Sequence, residues 1–217
     1  MKALTWCGVF APVLRLGLIL LLGFLDPEYS HLRNYISELG ARDAPAAVLM
    51  NGIGTVLVGA LLCGFSLALY RGIEPGFLAT AGAALLASSG LAFIVVGLFP
   101  CDPGCSMVAP SATMRVHVVA GTVAMSAQTL APMALGLRIV SGTGNRRYAA
   151  ISLVCGAVAI MALIVLLLGQ GEWLAFPGLV QKTYQIAADA WVLLSAIHLL
   201  GNWRPGRTRN RLATCLG

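Results

Sequence analysis

The chain has 217 residues, 59% of them hydrophobic and only 10% charged, where an ordinary soluble domain carries roughly 25% charge. With a mean hydropathy of +0.87, too little polar surface remains to cover a water-soluble globule, so the solvent for most of this chain is lipid. The net charge of +6 is a topology signal, and no nucleic-acid partner is expected.

Six segments are long and apolar enough to cross ~30 Å of hydrocarbon as helices. They lie near 7–25, 46–70, 77–99, 114–137, 148–168 and 178–201. The connections are short, which predicts one all-α, six-helix transmembrane domain over 1–217, with a basic tail at 202–217. No small-x-small cleavage site follows the first run before Asp26, so that run reads as a signal anchor. Lys2, Arg71, Arg138, Arg146, Arg147, Arg204, Arg207, Arg209 and Arg211 fall on one side, against Arg33, Arg42 and Arg115 on the other. The positive-inside rule then places both termini in the cytoplasm of a plasma (inner) membrane protein.

The first span carries Arg15 about eight residues in, ~12 Å deep. A charge there faces a bundle interior or snorkels to the surface. Asp189 in the last span lies at matching depth, so an Arg15–Asp189 intramembrane ion pair is expected. In the first outer loop, Leu32, Tyr35, Ile36 and Leu39 recur at helical spacing. Ser30 fits an N-cap and Gly40 a C-terminal stop. A short amphipathic interfacial helix follows, with Asn34, Ser37 and Glu38 on its polar face and Tyr29 and Tyr35 at headgroup depth. The same stretch also reads as a solvated connector.

Spans two and three are rich in small residues (Gly54, Gly59, Gly64, Gly82, Gly90), which are packing signals. The second outer loop places Asp102 between Cys101 and Cys105, with Pro103-Gly104 as turn chemistry. On an oxidising face those cysteines fit a structural disulfide or a redox-active pair. No paired CxxC zinc pattern is present, and neither metal nor cofactor is expected. Span four opens with Arg115 and His117, and Gly121, Ala124 and Gln128 continue a small, polar stripe below the histidine. His117 suits proton chemistry, or a single hydrogen bond at a helix end. Span five is nearly all aliphatic and faces lipid or another subunit. The third outer loop offers Trp173 and Phe176 as interface anchors. Lys182, Gln185 and Asp189 share one face of span six, while His198 reads as a surface residue near its end.

One membrane face therefore collects Ser37, Glu38, Asp102, Arg115, His117 and Lys182. An outward-opening polar cavity floored by Arg15 and Asp189 is the economical picture. In an enzyme acting on a lipid or amphipathic substrate, Glu38 and His117 would be the acid/base pair, with Asp102 as orienter. Asn34, Ser37, Arg115 and Lys182 would hold the ligand, the two cations clamping a headgroup. A non-enzymatic lipid or small-molecule binder or transporter fits equally, with Arg15 and Asp189 as coupling charges. So does a structural subunit. Membrane lipids are the expected partners, with an oligomer or partner subunit as a further option.

Tyr29-Ser30, Asn34, Ile36-Ser37-Glu38-Leu39-Gly40, Phe99-Pro100 with Asp102, His117, Gly178-Leu179, Gln181-Lys182 and Trp191 carry a resemblance across nearly the whole chain. The sequence resembles the prokaryotic six-helix membrane family known as DUF998, a domain of unknown function. It is more distantly similar to the eukaryotic six-helix family of autophagy modulators and GPI-lipid-remodelling proteins. The resemblance implies the six-helix fold, and the distant one points toward lipids. Lys182 stands where the family pattern has arginine, keeping the charge without the bidentate fork.

Overall fold

The computed structural model describes residues 1–141, 145–169 and 174–202. Trp173 and the basic tail beyond Asn202 lie outside the described residues. Every regular element among the described residues is helical. Six helices are long and apolar enough to cross a membrane: α1 (Lys2–Leu25), α2 (Ala47–Gly72), α3 (Phe77–Leu98), α4 (Ala112–Val140), α5 (Arg146–Leu168) and α6 (Pro177–Gly201). The shortest, α3, has 22 residues and rises about 33 Å, enough for the hydrocarbon core. The all-α, multi-pass architecture expected from hydropathy is the one found.

The helices form a closed ring. Each packs against the next in sequence, and α6 returns to α1. Because lipid is as apolar as a leucine side chain, close backbone approach replaces hydrophobic drive between helices. A Cβ on Gly59 would lie 2.5 Å from the Gly90 carbonyl oxygen, and one on Gly90 would lie 2.6 Å from that of Gly59. The backbones of α2 and α3 therefore touch, and no larger residue fits at the crossing. Apolar side chains face both ways on α3: Leu86 is buried while Leu91 and Leu98 are exposed to the surroundings.

The half of the ring nearest the termini is filled. Leu62, Phe65, Leu86, Leu135, Trp191 and Val192 meet at its centre. Some polar atoms there are paired between helices, whereas the Ser89 hydroxyl and the Gln128 amide are buried with no hydrogen-bond partner among the described residues. The Trp191 indole donates to Ser152 Oγ at 3.1 Å and the Tyr148 hydroxyl to Ser195 Oγ at 2.8 Å. His198 is no free surface residue: its ring stacks on Tyr148 with centroids 4.3 Å apart.

The opposite, distal end is capped by the α1–α2 and α3–α4 connections. The α-helix predicted from residue 30 to 39 does not form. A turn through Ser30 leads instead to a 3-10 helix at Ile36–Gly40, with Ile36, Leu39 and Gly40 buried and Leu32 exposed. The cause is local competition for backbone groups. Asn34 Oδ1 accepts the Ser30 amide at 2.8 Å, and the Leu32 carbonyl accepts the Leu179 amide of α6 at 3.0 Å. An asparagine that bonds back to its own chain offers the backbone an alternative to helix. The connection is thus docked onto α6 rather than lying free in the interface. At the start of α2, Met50–Leu57 is π-helical, and the Thr55 hydroxyl donates to the Met50 carbonyl at 3.1 Å.

Candidate functional site

Glu38 is built into the distal cap. Its Oε1 accepts the Tyr35 amide at 2.6 Å, the reciprocal arm of a capping box. Its Oε2 accepts the Asn34 side-chain amide at 2.5 Å. Lys182 Nζ donates to the Asn34 carbonyl at 3.0 Å and sits 4.9 Å from the centroid of the Tyr29 ring. Gln181 Oε1 accepts the Ile36 amide at 2.6 Å. Burial, and then the negative charge of Glu38, push the Tyr29 and Tyr35 hydroxyls above their ordinary titration range. They stay protonated, and Tyr29 donates toward the Tyr35 carbonyl at 3.2 Å. His31, set edge-on to Tyr29, is pushed below the usual histidine range by burial and the nearby Lys182 charge.

A second cluster closes the neighbouring connection. Cys101 and Cys105 are disulfide-bonded around a short 3-10 turn, Pro103–Cys105, in which Gly104 has φ +58°. That positive φ is the conformation glycine adopts without strain. Asp102 accepts the Ser111 amide at 2.8 Å and its hydroxyl at 2.7 Å, with Arg42 at 3.6 Å. Ser111 in turn caps α4 by accepting the Met114 amide at 3.1 Å. The Ser111 hydrogen bonds, helped by Arg42, hold the Asp102 carboxyl below its ordinary range. The two connections are stitched together by the Arg42 amide on the Cys101 carbonyl, 3.2 Å, and the Gly104 amide on Asp43, 3.2 Å.

Beneath this double cap, Arg15 and Asp189 meet in mid-bundle, 3% and 0% exposed. Arg15 Nε donates to Asp189 Oδ2 at 3.0 Å, and Nη2 donates to Oδ1. The Gln185 amide donates to Asp189 Oδ2 at 3.1 Å, and the guanidinium lies 4.6 Å from the Phe93 ring centroid. Arg15 Nη1 is buried and has no hydrogen-bond partner among the described residues.

Between the cap and this ion pair lies a cavity of about 470 Å³. Its polar lining includes Arg15, Ser37, Asn51, His117, Gln181 and Gln185, and its apolar walls include Met50, Phe93, Met114, Met125, Leu163 and Leu166. Among the described residues, neither aspartate nor glutamate lines it. A Cβ added at Gly121, on the same wall as His117, would meet only Val96 Cγ2 at 4.0 Å.

The candidate residues are therefore not gathered at one point. His117 and Ser37 reach the cavity wall, but His117 Nδ1 is committed as a donor to the Phe99 carbonyl at 2.8 Å. Glu38, Asp102, Asn34 and Lys182 lie in the cap around it. Arg115 is exposed and donates to the Pro110 carbonyl at 2.9 Å, since it stands two residues from His117 and so points away from the cavity stripe. No hydrogen bond among the described residues joins Glu38, His117 and Asp102 to one another. Motif reasoning misses the methionine and Phe93 walls. A signal for the rest exists in Gln181 and Gln185, two amides at i and i+4 in an otherwise apolar span.

No curated protein and no solved structure matches this chain. The family model described as "Protein of unknown function (DUF998)" matches residues 9–198. The match takes in every helix of the ring, the double cap and the buried ion pair, and the chain belongs to the DUF998 family.

Proposed function

We propose that this protein is a membrane-embedded receptacle for an amphipathic molecule, acting as a non-enzymatic binder or transporter. The head of the ligand would rest on Arg15, Gln181 and Gln185, with its apolar part along Met125, Leu163 and Leu166. One observation carries the reading: Arg15, whose Nη1 is a buried donor with no hydrogen-bond partner among the described residues, is one of the residues lining a cavity of about 470 Å³. Buried donors are nearly always satisfied, and leaving one empty costs roughly 1–3 kcal/mol. The volume falls in the usual range for small-molecule sites, ~300–1,000 Å³. The distribution of basic residues supports placing the cap outside the cytoplasm and both termini within it. The Cys101–Cys105 disulfide accords with an oxidising face.

The catalytic reading has its own support in His117, which lines the same cavity. It requires Glu38 to exchange two internal hydrogen bonds for substrate. Mass spectrometry of lipids and small molecules extracted with the purified protein separates the readings. A molecule retained intact by wild type and by Glu38→Gln, and lost from Gly121→Leu, supports the receptacle. A product that appears with wild type and disappears with Glu38→Gln or His117→Ala supports catalysis. Identical extracts from wild type and Gly121→Leu overturn the receptacle.

A further inference from the structure

We infer that the head of the bound molecule is uncharged and offers oxygen acceptors, as in an acylglycerol, an isoprenoid alcohol or a quinone, rather than a phosphate or carboxylate. This rests on the receptacle reading above. The floor of the cavity is already charge-balanced, because the Asp189 carboxylate takes two of the three guanidinium nitrogens of Arg15. What remains is hydrogen-bonding capacity without net charge. Arg15 Nη1 is unpartnered, and Gln181 uses its carbonyl on Ile36, leaving its amide nitrogen without a protein acceptor among the described residues. An anionic head set here would be a third charge beside a neutral pair, and an uncompensated charge in such surroundings is strongly disfavoured. A cationic head would find no carboxylate among the described residues of the cavity wall. The other cations of this end do not rescue an anion: Lys182 and Arg115 are held on backbone carbonyls, and neither they nor Arg33 and Arg42 belong to the lining.

A competition between two single-chain lipids tests the inference. Wild-type protein in nanodiscs is offered equal amounts of monooleoylglycerol and oleoyl lysophosphatidic acid, which share a tail and differ in the phosphate. Retention is read by native mass spectrometry, with Gly121→Leu and the paired Arg15→Met, Asp189→Leu variant as comparisons. The expected result is retention of monooleoylglycerol at least about tenfold above the lysophosphatidic acid. Both variants should abolish that retention, the first by obstructing the cavity and the second by removing the donor. Preferential or equal retention of the lysophosphatidic acid, still lost in Gly121→Leu, overturns the head-group inference and leaves the receptacle standing. Retention of neither lipid, or retention unaffected by Gly121→Leu, overturns the receptacle itself. Should the paired variant fail to fold, the wild-type competition and Gly121→Leu decide both questions.

Discussion

Replacing Asp189 by asparagine would leave the Arg15 guanidinium alone in mid-bundle, 3% exposed and without its carboxylate. Removing one partner of a buried pair costs about 3–5 kcal/mol, because the remaining charge stays desolvated. For a chain of this length, each kcal/mol corresponds to roughly 2–4 °C of midpoint, so thermal unfolding in detergent should fall by roughly 6–20 °C. Arg15→Met should be milder, because a lone carboxyl can take up a proton whereas a guanidinium cannot lose one. Arg15→Met combined with Asp189→Leu removes both charges. It also removes the acceptor of Gln185 and the contact of Arg15 with Phe93, each on the order of 1 kcal/mol. The double variant should therefore unfold well above Asp189→Asn. Wild type, Arg15→Met, Asp189→Leu and the double variant form a double-mutant cycle whose coupling energy should exceed about 2 kcal/mol. Single variants within about 0.5 kcal/mol of wild type, or simple additivity, would refute a buried, mutually dependent pair.

Gly121→Leu should leave the fold intact and raise the midpoint slightly, since glycine within a helix costs about 1 kcal/mol and its side-chain space is open; a large loss of stability would show that the wall is closed. Gly178→Ala sets a Cβ 2.3 Å from the Asn34 carbonyl oxygen, so the cap should undock from α6. Limited proteolysis after Arg33 would then accelerate several-fold, and unchanged cleavage would count against the docking. For Asp102 the sign is that of a depressed carboxylate. Its contribution is complete above the ordinary carboxylate value near ~4 and is lost as pH falls through the lower folded value. Hydrogen exchange at the Ser111 amide should therefore be protected at neutral pH and rise over background only below ~4, and Asp102→Asn should remove that pH dependence.

The fold was legible because lipid imposes a simple rule: long apolar runs must be helices. The ion pair was legible for a related reason, since equal depth in two spans already aligns Arg15 with Asp189. The cap was not. Residues 30–39 carry a good helical period, yet the Leu32 carbonyl, the Ile36 amide and the Asn34 carbonyl are claimed by Leu179, Gln181 and Lys182, distant in sequence. Periodicity has no access to such partners. The π-helical Met50–Leu57 is equally hidden, because its apolar composition suits either helix type. Grouping polar residues by membrane face placed Glu38, Asp102 and His117 together, but face is a coordinate along one axis only. Their lateral positions are set by capping bonds that spacing does not encode.

Photo-crosslinking addresses the central claim most directly. Monooleoylglycerol carrying a diazirine at the end of its acyl chain would be incorporated into nanodiscs with wild-type protein, illuminated, and its adducts mapped by peptide sequencing. The account predicts adducts on the cavity wall, at Val118, Met125, Leu163 or Leu166, and their loss in Gly121→Leu. Adducts confined to outward-facing positions such as Val119, Val123 and Leu168, unchanged by that substitution, would contradict it.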